Sequence, residues 1–147
     1  PPAMTFLGSL PLFYAATPRT PFGALDVLAG LLTAAAIAIE SIADRQLRDY
    51  RRTQESGSGG ICDVGLWRYS RHPNYFGECL FWLGVFLFGI AASPAAWWTG
   101  IGFVAIVAMF VFGTIPMMER RSLARRPQYA EVQRRVSMLV PLPPHRE

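Results

Sequence analysis

Gly65–Glu78, GLWRYSRHPNYFGE, places dense polar chemistry directly before an apolar run, Cys79–Ala92. The stretch carries Arg68, Arg71, His72, Asn74, Glu78 and two tyrosines, Tyr69 and Tyr75. Pro73 suits the first position of a helix, because its fixed φ is already helical and its missing N–H would have no partner there. A helix running from Pro73 to Ala92 has 20 residues and spans about 30 Å, the thickness of a bilayer core. Asn74 and Glu78 are then four apart and Tyr75 and Glu78 three apart, so they share one face of the first turns. A carboxylate at the mouth of a membrane helix is costly unless partnered, which makes Glu78 a functional candidate.

On the N-terminal side, Phe22–Ala43 is apolar, interrupted by Asp26 and Glu40. The helical spacing continues through Ala43–Arg52, where no Gly or Pro intervenes, and puts Glu40, Asp44, Arg48 and Arg51 on one stripe. Gln54–Gly60 (QESGSGG) reads as a flexible linker within a single domain covering residues 1–147. Earlier still, Ala3–Ala16 is apolar but short and contains Pro11, as expected for the end of a span or a kinked one. On the C-terminal side, Ser93-Pro94 forms a short turn. Ala95–Ile115 spans again with Trp97 and Trp98 as interfacial anchors, and Pro116 closes it. Met117–Glu147 is a basic tail expected to form one amphipathic helix, Glu119–Arg135, before Leu139-Val140-Pro141-Leu142-Pro143-Pro144. The expected architecture is all-α, a polytopic membrane bundle of about four spans. The opening of the chain reads as that of the C-terminal part of a longer polytopic protein.

Composition agrees. Of 147 residues, 52% are hydrophobic and 13% aromatic, and the mean hydropathy is +0.26, too apolar for an ordinary soluble domain. The net charge of +4 comes from 14 basic residues, all arginine. They fall in two segments flanking apolar runs, the distribution of a cytoplasmic membrane face rather than of a nucleic-acid surface. The linker, the polar stripe and the tail are therefore expected on one cytoplasmic side, with Ser93-Pro94 on the other. Cys62 and Cys79 are expected to be free thiols. Ser56–Gly60 is not a dinucleotide fingerprint, since no strand precedes it. His72 and His145 are the only histidines, and neither has a second ligand at metal spacing.

GLWRYSRHPNYFGE resembles the signature of the steroid 5-alpha-reductase-like membrane proteins of DUF1295 type, with PNYFGE its most specific part. Arg71-His72-Pro73-x-Tyr75-x-Gly77 is also shared with the isoprenylcysteine carboxyl methyltransferases. The first resemblance implies an NADPH-dependent reductase that saturates a C=C bond conjugated to a carbonyl in an apolar lipid substrate. It implies that Asp44, Arg48 and Arg51 hold the nucleotide end, and that Asn74 and Glu78 hold the carboxamide of the nicotinamide. Fork-shaped guanidinium groups suit phosphate, and an Asn–Glu pair supplies donor and acceptors for an amide. Arg68, Arg71 and His72, ahead of a helix N-terminus, suit an anion. Glu119 and Tyr129 resemble the closing segment of both families. Tyr75 and Glu78 are the candidate catalytic residues.

Three alternatives stay open at this level. The motif could serve an S-adenosylmethionine-dependent methyltransferase, with Arg71-His72 on the cofactor carboxylate and Glu119 on its amine; Met118-Glu119 departs from the paired glutamates of that family. The chain could be a non-enzymatic membrane interaction module. The acidic-basic stripe could equally be a solvated helix end tied by i,i+4 ion pairs, each worth about 0.3–0.5 kcal/mol.

Overall fold

The structure, a computed structural model, describes residues 2–17, 20–53 and 60–145. Among them α1 is Pro2–Ala15, α2 Ala24–Thr53, α3 Pro73–Ala92, α4 Gly100–Ala108, α5 Ile115–Arg125 and α6 Tyr129–Arg135. Short 3₁₀ turns at Gly65–Arg68 and Pro94–Thr99 precede α3 and α4, and a π-helical stretch, Met109–Thr114, joins α4 to α5. The linker Gln54–Gly60 lies outside the described residues except for Gly60.

α3 starts at Pro73 and ends at Ala92, and α2 runs on for 30 residues without a break, both as the sequence implies. Three helical stretches are long and apolar enough to cross a membrane: Ala24–Thr53, Pro73–Ala92 and the continuous rod Pro94–Arg125. α1 has 14 described residues, about 21 Å, and is not among these stretches, so the described residues hold three stretches of span length where about four spans were expected. Pro11 does not end α1; its ring is buried and lies where a Cβ on Gly89 of α3 would come within 2.7 Å.

Two further expectations are corrected. Pro116 does not close the last span, because the rod continues to Arg125. A proline inside a helix lacks a donor and crowds the carbonyl four residues back; the wider π turn just ahead of Pro116 relieves that crowding. The tail is not one helix from Glu119 to Arg135. It breaks at Arg126, whose φ −144° and ψ 87° are non-helical, because Pro127 disfavours helical geometry in the residue before it.

α2 and α3 form the most extensive helix pairing, and small residues make it possible. Ala29, Ala36 and Ala43, seven apart, are each 0% exposed. They face Gly77 and Gly84, also seven apart. A Cβ on Gly77 would lie 2.9 Å from the Glu40 backbone nitrogen and 3.0 Å from the Ala36 carbonyl oxygen. Lipid-exposed helices gain little from burying apolar area against each other, so close backbone approach between small residues is what holds such a pair. Behind α3, Cys79 packs with Ile106, Phe110 and Ile115, with Tyr75 and Trp82 against them.

A strap, Ser137–His145, ties the tail back to the motif. Arg71 N donates to Ser137 O (2.8 Å), Leu142 N to Tyr69 O (3.0 Å) and His145 N to Arg135 O (2.9 Å). The Ser70 hydroxyl donates to Leu139 O at 2.7 Å.

Thus the C-terminal half of α2, the start of α3, α5 and α6 gather at one end of the bundle, and Trp97, 73% exposed, marks the other end of the Pro94–Arg125 rod. In a cysteine-free background, single cysteines at Trp97 and Arg125 are expected to react with membrane-impermeant maleimide from opposite sides, with Arg125 cytoplasmic. Labelling of both from one side would rule out a membrane-crossing rod.

Candidate functional site

The motif is fixed to α2 before α3 begins. Gly65 adopts φ +56°, a left-handed conformation natural to glycine, and a Cβ there would collide with the Gln46 side chain. That side chain accepts from Leu66 N at 2.9 Å, and Trp67 Nε1 donates to Ala43 O at 2.9 Å. The 3₁₀ turn therefore lies against the last turns of α2 and delivers Arg71–Tyr75 beside Asp44 and Arg51.

These elements enclose a half-open cavity of about 370 Å³, within the roughly 300–1,000 Å³ usual for small-molecule sites. Asp44 and Arg51 line it from α2, Arg71, His72, Asn74 and Tyr75 from the motif, Met118 and Ser122 from α5, and Arg126 and Tyr129 from the tail. Cys62, on the segment entering the motif, completes one wall, and Arg126 Nη1 pins that segment by donating to Gly60 O at 2.6 Å.

Behind the wall sits Glu119, 7% exposed. Its Oε1 lies 2.9 Å from Arg71 Nε and 3.1 Å from His72 Nε2, and its Oε2 accepts from Gln133 Nε2 at 2.7 Å. The Arg71 Nε–H is not aligned on the carboxylate, so that contact is an ion pair without a directed hydrogen bond. Arg71 Nη1 donates instead to Gln133 O at 2.9 Å. Tyr129 Oη donates to Glu119 Oε1 at the long limit of 3.5 Å. Burial, and next the Glu119 charge, push the Tyr129 hydroxyl up to about 12, so it stays a donor throughout the physiological range. Burial likewise raises the Cys62 thiol, which is neutral rather than thiolate at pH 7.

Within the cavity, Tyr75 stacks between His72 (centroids 5.6 Å apart) and Phe110 (4.6 Å), and its hydroxyl donates to Met118 Sδ at 3.0 Å. Asn74 Oδ1 is buried and has no hydrogen-bond partner. A buried amide oxygen without a donor loses about 1–3 kcal/mol of solvation.

The structure brings together Asp44, Arg51, Arg71, His72, Asn74, Tyr75 and Tyr129 of the residues singled out from sequence. Arg48 and Arg68 are exposed and outside the lining, and Glu78 is half-buried beside Glu40 across the α2–α3 seam. The ion-pair ladder does not form either: on this stretch of α2 the salt bridge among the described residues is Asp49–Arg52, at 3.8 Å and largely exposed. Gln46, Trp67, Arg126 and Gln133 were not legible as site residues. Their partners are backbone carbonyls and amides, or a carboxylate far away in sequence, and no spacing rule signals such contacts.

Fold and site together define a helical protein with three membrane-crossing-length helices and a cavity of mixed polar and apolar lining at one end of the bundle. The chain belongs to the DUF1295 family, proteins of unknown function, whose profile matches residues 3–136. It is 31% identical over 138 residues to an uncharacterized protein of Schizosaccharomyces pombe, covering 82% of this chain and 40% of that protein. This chain therefore corresponds to less than half the length of that relative. No solved structure matches the chain at a significant level.

Proposed function

We propose that this chain holds the cofactor of a multi-pass, membrane-embedded, NADPH-dependent reductase that saturates a C=C bond conjugated to a carbonyl in an apolar lipid, with the cavity on the cytoplasmic side. The observation that carries this reading is the unpartnered Asn74 Oδ1 in a cavity also lined by Arg51, Arg71 and Arg126. An acceptor awaiting an amide donor and a set of guanidinium groups is the donor set that a nicotinamide carboxamide and a nucleotide phosphate require. When bound, NADPH supplies a hydride. Asn74 accepts from the carboxamide NH₂. Arg51, which has no ion pair among the described residues, offers its fork to phosphate. The Tyr75 hydroxyl faces the substrate carbonyl and exchanges its weak bond to Met118 sulfur for a stronger acceptor. Arg48 and Glu78, outside the lining, are secondary to Arg51 and Asn74.

The position of Glu119 weighs against the methyltransferase reading. There it would bind the amine of S-adenosylmethionine, but here its two oxygens are occupied by Arg71, His72, Gln133 and Tyr129.

The test is thermal unfolding of the protein in nanodiscs with NADPH, NADH or S-adenosylmethionine, since a ligand of the native state raises its stability by mass action. NADPH is expected to protect. Asn74→Ala is expected to cost about 0.5–1.5 kcal/mol of binding, and Arg51→Ala about 1.5–3 kcal/mol. The Arg51 loss should be larger for NADPH than for NADH if Arg51 meets the 2′-phosphate. Protection by S-adenosylmethionine alone would transfer the site to methyl transfer, and protection by none of the three would leave a membrane interaction module.

A further inference from the structure

The His72 ring is held from several sides. Its side chain is 8% exposed, it stacks on Tyr75 at an interplanar angle of 11°, and its backbone N–H donates to Ser70 Oγ at 3.1 Å. The Ser70 hydroxyl is in turn anchored on Leu139 O of the strap. One ring nitrogen, Nε2, is 3.1 Å from Glu119 Oε1. An ionised carboxylate only accepts, so the hydrogen in that contact belongs to Nε2. No described protein group hydrogen-bonds Nδ1, and the ring lines the cavity. A carboxylate that fixes one imidazole nitrogen decides what the other presents.

We propose that His72 is the proton-transfer residue of this cavity and that Glu119 is its positioning residue, holding Nε2–H so that Nδ1 faces a bound substrate. The catalytic part rests on the reductase reading. Saturating a C=C bond takes one hydrogen with its electron pair from a nicotinamide hydride donor and the second as a proton. His72 supplies the proton from Nδ1: the N–H bond breaks, its electron pair stays on the ring, and an O–H or C–H bond forms on the substrate. The ring, now neutral, keeps its Nε2–H bond to Glu119 and regains a proton from water through the open mouth. The charged groups around the ring are Arg71, paired with the same Glu119 oxygen, and Asp44, Arg51 and Arg126 on the cavity lining.

Because His72 and His145 are the only histidines, ¹⁵N-histidine labelling of the protein in nanodiscs gives two ring systems, separable by comparison with His145→Gln. In the neutral ring, His72 is expected to carry its proton on Nε2 alone, and Glu119→Gln is expected to bring in the Nδ1–H tautomer. A wild-type spectrum with the proton on Nδ1 overturns the proposal, whether or not the Glu119 variant folds. In turnover of an α,β-unsaturated ketone lipid with NADPH, His72→Gln is expected to lose about 10²–10⁴-fold, the usual worth of a general acid, while NADPH still raises its melting temperature as in wild type. Unchanged turnover, or loss of the NADPH shift along with turnover, overturns the proton role; the latter makes His72 a cofactor ligand. If NADPH neither protects nor reacts with the wild-type protein, the reductase reading fails and the catalytic role with it. The tautomer experiment still decides separately whether Glu119 positions His72.

Discussion

Gly77→Val is expected to lower the unfolding free energy by at least about 3 kcal/mol, the upper end of what overpacking usually costs. The reason is what the new side chain would meet. A Cβ at Gly77 lies 2.9 Å from Glu40 N and 3.0 Å from Ala36 O, and neither is the yielding tip of a side chain. The two helices would have to part along the Ala29–Ala36–Ala43 seam, and Asp44 and Arg51 would move away from Asn74 and Tyr75. Gly30→Ala is the matched control. It lies on α2, across the same helix pair, but its nearest neighbour is Phe88 Cζ at 3.7 Å, an ordinary contact, so better helix propensity is expected to stabilise by roughly 0.5–1 kcal/mol. Detergent-solubilised protein followed by circular dichroism through a thermal ramp measures both. A Gly77→Val protein that melts with wild type would show that α2 and α3 are held by something other than close backbone contact.

Glu119→Leu is expected to cost about 3–5 kcal/mol, the range for removing one partner of a buried ion pair. Arg71 and Glu119 side chains are both 10% exposed, so the substitution leaves a guanidinium and an imidazole facing an apolar group with little water to replace the carboxylate. The double variant Arg71→Met/Glu119→Leu is expected to regain most of that loss, because two apolar side chains of similar volume satisfy each other. The double variant should nevertheless be impaired in NADPH binding, since Arg71 also lines the cavity. Equal losses for the single and the double variant would mean that the pair contributes packing rather than charge.

The parts of this fold that were legible in the sequence are those governed by local rules. Pro73 marks a helix start because its backbone geometry admits little else, and α2 runs through Arg52 because nothing between Ala43 and Arg52 breaks a helix. Asn74 and Tyr75 beside Asp44 and Arg51 followed from a motif and a stripe meeting at one end of a bundle. What escaped depends on partners distant in the chain. Glu119 resembled a ligand-binding acid until its four neighbours appeared around it, and Glu78 shares a helical face with Asn74 yet lies toward Glu40. Arg48 shares a stripe with Asp44 and Arg51, but a rotation of about 40° beyond Asp44, from the 3.6-residue turn, places it outside the cavity. The seven-residue spacing of Ala29, Ala36 and Ala43 and of Gly77 and Gly84 was a usable signal, visible when small residues are read as a contact surface rather than as apolar filler. The break at Pro127 was also readable from the residue type alone.

The strap has a consequence for biosynthesis. Tyr69, Ser70 and Arg71 take their backbone and hydroxyl partners from Ser137, Leu139 and Leu142, residues made after all three membrane-crossing-length stretches. A nascent chain can therefore pair its long helices while the groups around His72 still lack these partners. Ribosomal synthesis completes the three long apolar stretches first and the strap last, so a chain ending near Val136 is expected to keep those helices while Tyr69–Arg71 lack their partners.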